Sequence, residues 1–190
     1  MFGLRESYKV SEGDIIFTLD SDDFYNLDKV KSVMQVFKDT NKKIVVDMPT
    51  IIANDKKYLM QNRNLSKISI LNHFNFFPQQ SCFSFRREVF ANLLKDVFFL
   101  KYPNVWFDFR ASIYGNYIIN DFSILDEYLT YYRKTQNNVS SNFNKFSDEW
   151  WARRLEYHHY EKEYLKNKDI KINTNIDFYI TKFMNYLKND

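Results

Sequence analysis

Apolar positions change rhythm along this chain, and the changes mark its elements. "SYKVSEGD" reads as the end of a helix followed by a turn at Gly13. "DIIFTLD" is a short, continuously apolar run, the pattern of a strand buried on both faces in the interior of a sheet. "NLDKVKSVMQVFKDT" places Val30, Val33, Met34 and Phe37 at helical spacing, with Asn26 or Asp28 as cap. "KKIVVDMPTII" is a second strand, expected to stop at Pro49. Residues 54–75 are polar and irregular and read as a long loop. "QQSCFSFRREVFANLLKDV" begins extended and turns helical after Arg86, and "VWFDFRASIYG" has helical spacing up to Gly115. A strand is predicted from Ile124 to Arg133. Ser147 and Asp148 can cap a helix through "EWWARRLEYHHYEKEYLKN", and "IDFYITKFMNYLKN" predicts a last one. Strands alternating with helices and then helices alone argue for an α/β domain with a helical C-terminal tail.

Composition narrows this picture only a little. The 190 residues suit one domain with a small appendage, and 45% hydrophobic with 27% charged is an ordinary globular balance. Aromatic residues reach 19%, which points first to an aromatic-rich core. A net charge of +3 is too small and too dispersed for a nucleic-acid binder, but suits an anionic substrate or an anionic membrane surface. The single cysteine, Cys82, rules out an internal disulfide and reads as a small packed residue. The opening residues lack the apolar core of a signal peptide, and no apolar run approaches the ~20 residues that span a bilayer.

Candidate chemistry gathers in "GDIIFTLDSDDFY", where the apolar run ends in Asp20, Asp22 and Asp23. The carboxyl end of a strand in an α/β sheet is where ligands bind. On a regular strand Asp20 and Asp22 point to one side, whereas in a tight turn they straddle an ion. Crowded carboxylates raise one another's pKa, and a hard divalent cation such as Mg²⁺ or Mn²⁺ relieves the repulsion while holding substrate phosphates. A solvated Asp-rich turn is the plainer alternative. Asp108 sits near a helix start, where an acid serves either as a first-turn residue favoured by the helix dipole or as a general base. His73 reads as a loop histidine, and His158 and His159, being adjacent, face different directions on a helix. Arg86 and Arg87 read as a solvated helix start or as phosphate partners. Trp150, Trp151, Arg153 and Arg154 invite either packing or a membrane-surface role.

"SEGDIIFTLDSDDFYNLDKV" resembles the central segment of the family 2 glycosyltransferases, which have the GT-A fold. Three further segments extend the resemblance over residues 3–142. "QQSCFSFRREVF" is similar to the mid-domain strand and following Arg. "VWFDFRASIYG" is similar to the W-x-D helix start. "LTYYRKTQNNVSS" is similar to a Y-R-x-H-x-x-N-x-S segment, matched by Tyr132, Arg133, Asn138 and Ser140, with Thr135 in place of the His. The resemblance implies a partial GT-A mixed sheet flanked by helices over residues 1–142, with a helical extension over 143–190. It implies that Asp20 and Asp22 bind Mn²⁺ or Mg²⁺, which holds the diphosphate of a nucleotide-sugar donor, with Asp23 beside them. It implies Asp108 as the base for the acceptor hydroxyl, and Arg5 and Arg133 as residues near the diphosphate.

A GT-A fold carries a βαβ portion ahead of this strand, and the residues before Asp20 leave no room for it. The expectation is therefore the C-terminal two-thirds of a glycosyltransferase, with "IIFTL" exposed along one edge and an upstream chain supplying the rest. The expected function is metal-dependent sugar transfer to a glycan or lipid-linked acceptor in surface polysaccharide synthesis. The expected place is the cytoplasm, with peripheral contact at the inner face of the membrane and no nucleic acid involved. The alternative is a non-catalytic remnant that binds a partner.

Overall fold

The central sheet is built by its apolar runs. In a computed structural model that describes residues 2–60, 79–96, 101–135 and 143–188, six strands form one mixed sheet. They are β1 (Ile15–Phe17), β2 (Phe24–Tyr25), β3 (Ile44–Ala53), β4 (Lys56–Leu59), β5 (Phe83–Arg86) and β6 (Phe122–Arg133). Their order is β1-β5-β3-β6-β2, with β4 paired to the far half of β3. The β3–β6 pair is parallel, and the other pairs are antiparallel. The helices are α1 (Phe2–Val10), α2 (Lys29–Asp39), α3 (Arg87–Asp96), α4 (Phe107–Ile113), α5 (Asp148–Lys166) and α6 (Ile176–Lys188).

The chain divides into two compact units. The first takes Met1–Asn64, Phe76–Phe99 and Phe107–Lys134, and the second Leu65–Asn75, Leu100–Trp106 and Thr135–Asp190. In the first, strand alternation sorts the core. Val45 joins Val33 and Phe37 of α2 and Leu129, with Ile15 and Phe17 packed against them. Residues one step along point the other way. There Phe83 and Phe85 stack at 5.7 Å, and Phe85 and Phe90 of α3 and Phe107 of α4 form a tilted ring cluster at 5.2–6.3 Å. Part of the aromatic excess is thus placed in a core, where each buried ring contributes about 1.5–3 kcal/mol, while Phe24, Tyr58, Phe146, Tyr179, Phe183 and Tyr186 are exposed.

Four expectations change. β1 is a half-buried edge strand, bonded only to β5 among the described residues, rather than an interior strand. Its exposed edge agrees with the expectation for "IIFTL". Pro49 does not stop β3, because the ladder shifts register between Met48 and Pro49, where a missing N–H is tolerated. Residues 56–59, read as loop, form β4. Asn54 (φ 49°) and Asp55 (φ 60°) make a two-residue left-handed turn that folds the chain back on β3. Finally, helix α4 does not end at Gly115 but widens into a π-helical turn over Tyr114–Ile119, closed by Asn120 at φ 45°. Of α2's apolar stripe, Val33 and Phe37 are buried while Val30 is 52% exposed.

The second unit is organised by α5 and α6. Ser147 caps α5 by accepting from the Trp150 amide. Arg154 meets the buried Asp177 of α6 with two nitrogens (2.7–3.1 Å), and His158 Nε2 lies 3.0 Å from the same carboxylate. Burial raises the Asp177 pKa, but His158 and Arg154 outweigh it and hold the carboxyl below its usual value. Trp151 is buried, and Arg153 lies over Trp106 at 3.6 Å while its Nε donates to the Asn104 carbonyl. These side chains, the basis of the membrane-surface reading, have partners inside this unit. No described helix is long and apolar enough to cross a membrane. His73, Asn138, Ser140 and most of the 54–75 segment lie outside the described residues.

Candidate functional site

The acidic residues form a turn rather than the end of a regular strand. After β1, Thr18 and Leu19 lead into Asp20-Ser21-Asp22-Asp23, and the Asp23 amide donates to the Asp20 carbonyl at 3.1 Å. That bond closes a four-residue turn and sends the chain into β2. Aspartate suits such a turn, but local preference does not explain three carboxylates in one.

A short 3₁₀ turn, Gln80–Cys82, clasps this acidic turn. Gln80 Nε2 donates to Asp20 Oδ1 at 2.6 Å. The buried Ser81 hydroxyl donates to Asp23 Oδ2 at 2.6 Å and accepts from the Asp20 amide at 3.0 Å. Thr18 Oγ1 donates to the Gln80 carbonyl at 2.6 Å, tying the clasp to β1. On the other side, the Arg133 amide donates to Asp23 Oδ1 at 3.0 Å, and Arg133 Nε donates to the Asp22 carbonyl. The Arg133 guanidinium also lies 5.5 Å from the Phe24 ring centre, and Phe24 stacks on Tyr131 at 4.6 Å.

The three aspartates are therefore not equivalent. Asp23 is buried, and both its oxygens accept hydrogen bonds, so it holds the turn together. Burial pushes its carboxyl up against the pull of those bonds. Asp22 is part-exposed, and its carboxylate takes no hydrogen bond from the described residues. The Asp20 pKa is pushed up to about 6, first by burial and then by the charges of Asp23, Asp108 and Asp22. Asp108 stands in the first turn of α4 with Oδ1 accepting from the Phe109 amide at 2.9 Å. The fold thus gathers Asp20, Asp22, Asp23, Asp108 and Arg133 in one place. Arg5 is exposed on α1.

Under the turn lies a polar network that sequence reasoning did not find. Lys29, at the start of α2, is fully buried. Its ammonium donates to Asp47 Oδ1 (2.6 Å), Thr130 Oγ1 (2.7 Å) and the Ser81 carbonyl (2.7 Å). Thr130 Oγ1 donates in turn to Asp47 Oδ2 at 2.7 Å. Burial pushes the Asp47 carboxyl up, opposed by the ammonium beside it. Tyr25 lies 4.3 Å from that ammonium and donates to the Thr18 carbonyl at 2.7 Å. The sequence signal was Asp47 interrupting "IVVDM": a charge inside an apolar strand requires a buried partner. Other polar residues are spent on structure. Arg86 donates to the carbonyls of Lys42, Phe37 and Thr40 behind α2, and Arg87 donates to Gly13 O and Ser11 Oγ. Burial pushes the Cys82 thiol well up, which leaves it no thiolate character.

The residues present fit a divalent cation in one specific way. No cluster of three or more His, Cys, Asp or Glu that could hold a metal forms among the described residues. Mg²⁺-type sites, however, take one or two protein carboxylates and complete the shell with water and substrate phosphate. Asp22, without a hydrogen bond on its carboxylate, and Asp20, hard to ionise beside like charges, offer that pair.

A mixed sheet flanked by helices, with an acidic turn leaving its edge strand, is a partial GT-A fold. Residues 3–94 match the model for Glycosyl transferase family 2. The chain thus resembles the family 2 glycosyltransferases. In fold it is similar to Staphylococcus aureus TarS. TarS 1–349 in complex with UDP-GlcNAc aligns at TM-score 0.57 and 15% identity, over 95% of this chain and 49% of that one. Without a named ligand, TarS 1–349 aligns at 0.54 and 12%, and in complex with UDP at 0.51 and 12%, each over 95% of this chain and 47% of the other. The chain spans about half the length of these proteins. No curated protein sequence matches it.

Proposed function

We propose that this chain carries the donor-diphosphate site and acceptor base of a glycosyltransferase that moves a sugar from a nucleotide-sugar donor to a glycan or lipid-linked acceptor. The observation that carries the reading is the acidic turn itself: Asp20, with its pKa pushed up to about 6 by burial and by the charges of Asp23, Asp108 and Asp22. So many carboxylates at one point cost stability, and a cation with the diphosphate it holds relieves that cost. The fold likeness to TarS in complex with UDP-GlcNAc and with UDP supports a nucleotide-sugar donor.

In this reading Asp20 and Asp22 would hold Mn²⁺ or Mg²⁺, which when bound would supply positive charge for the donor diphosphate. Asp23 and Arg133 keep the turn in shape. Asp108 takes the proton of the acceptor hydroxyl as that oxygen bonds to the anomeric carbon, and the bond from that carbon to the diphosphate oxygen breaks to release the nucleoside diphosphate. The outer edge of β1 supports an added strand from a further segment or chain, which contributes to the nucleoside site. We place the reaction in surface polysaccharide synthesis, in the cytoplasm at the inner face of the membrane. Calorimetric titration of UDP in the presence of Mn²⁺ tests the reading: binding is expected and is lost in Asp22→Ala. Absence of binding in the wild-type chain favours the second reading, a non-catalytic fragment that pairs through β1.

A further inference from the structure

We infer that Lys29 is the positioning residue of the acidic turn, acting through Ser81; the inference rests on that turn being the donor site. The ammonium spends its three protons on Asp47, Thr130 and the Ser81 carbonyl. Ser81 then uses its hydroxyl on both ends of the turn, donating to the Asp23 carboxylate and accepting from the Asp20 amide. One buried cation is therefore two bonds from the carboxylate that holds the turn and two bonds from the backbone of the carboxylate offered to ligand. The connection runs across four separate parts of the chain, α2, β3, the 80–82 turn and β6, which meet at this nitrogen.

Stability alone does not account for the arrangement. A fully buried Lys–Asp pair gains little over well-packed apolar residues of the same volume, because each ion loses its hydration. What an apolar replacement cannot do is donate to the Ser81 carbonyl. Remove that donor and the Ser81 carbonyl keeps only the longer contact to Thr130 Oγ1 at 3.3 Å, so the 80–82 turn loses its charged anchor from below and the Ser81 hydroxyl loses its fixed position under Asp20 and Asp23. Lys29 touches neither substrate nor cation in this scheme. It fixes the geometry in which Asp20 and Asp22 meet them, and small displacements of such groups are costly to binding.

The test uses Lys29→Met combined with Asp47→Asn, so that no uncompensated charge stays buried, with Lys29→Arg and Ser81→Ala as companions. Amide hydrogen exchange and calorimetry with Mn²⁺ and UDP are the readouts. In the double variant, exchange at the Asp20 amide is expected to speed up about 10-fold or more, while the Val45 amide of the central strand β3 keeps its protection. Mn²⁺–UDP affinity is expected to fall by about 10-fold or more. Ser81→Ala is expected to give both losses with Lys29 intact. Lys29→Arg keeps the charge but cannot converge three donors on one point, and is expected to give the same local loss. Wild-type protection at Asp20 in a folded double variant overturns the inference. So does collapse of the whole fold in both Lys29 variants, which makes Lys29 a residue of the core at large. If the wild-type chain binds no UDP, the donor-site reading falls, while the exchange result still decides whether Lys29 holds the turn.

Discussion

Asp108, in the first turn of α4, presses its charge on Asp20, in the turn that leaves β1, and makes Asp20 harder to ionise. Two segments distant in sequence thus share one electrostatic problem. A group raised to about 6 from 3.8 binds more protons folded than unfolded between those values, so its charge costs stability at neutral pH and the cost fades as pH falls through 6. In the proposed reading the ionised Asp20 would hold the cation, so Mn²⁺–UDP affinity is expected to weaken about tenfold per pH unit below 6. Asp20→Asn, which keeps the oxygen facing Gln80, is expected to raise the melting temperature at pH 7 and abolish binding. Calorimetry from pH 7 to 5 and thermal melts read both. A flat affinity over that range excludes Asp20 as ligand.

Asp108→Asn separates a base from a helix-start acid. As a base, its loss is expected to lower release of UDP from a UDP-sugar by about 10²–10⁴-fold. UDP affinity at pH 7 is expected to stay within about threefold, because Asp20 and Asp22 remain. The acid limb of UDP binding is expected to move to lower pH, because one of the charges that raises Asp20 is gone. Turnover reduced less than about tenfold assigns Asp108 to the helix start alone.

Asp177 makes the opposite pH prediction in the second unit. Its carboxyl is held below 3.8 by His158 and Arg154 against the effect of burial. Its contribution is therefore fully present above 3.8 and is lost as pH falls through the lowered value. Asp177→Asn leaves the buried Arg154 without its charge partner and is expected to cost about 3 kcal/mol. Chemical denaturation and hydrogen exchange over α5 and α6 measure it, and a cost below about 1 kcal/mol shows that solvent takes over the role.

Helix α2 and strand β6 were legible because apolar spacing is a local signal, and α5 because its Ser147 cap is one, whereas Asp28 at the start of α2 makes no side-chain cap bond. Two kinds of feature were not. The first depends on who stands next in the sheet: "IIFTL" has the composition of an interior strand, and only pairing reveals that β1 has β5 on one side and no strand on the other among the described residues. The second depends on a distant partner. Lys29 reads as one more solvated helix lysine, and only Asp47 and Thr130, brought beside it by β3 and β6, make it a buried ion. The acidic turn was legible as chemistry, but not the clasp of Gln80 and Ser81 that shapes it, since neither residue carries a charge to betray it.

β6 runs parallel to β3, with Thr130 at the Lys29 ammonium and its neighbour Tyr131 stacked on Phe24. Strand alternation makes these two sides exclusive, so adding or deleting one residue ahead of Thr130 exchanges them and drives a tyrosine ring into the place of a hydroxyl. Substitutions along β6 can accumulate, but its residue count is fixed unless the change falls where the ladder already slips, between Ile124 and Thr130 of β6 opposite Val46 to Pro49 of β3. In a lineage of such chains this strand is expected to drift in spelling while keeping its length, and single-codon insertions and deletions are expected to fall in the loops on either side.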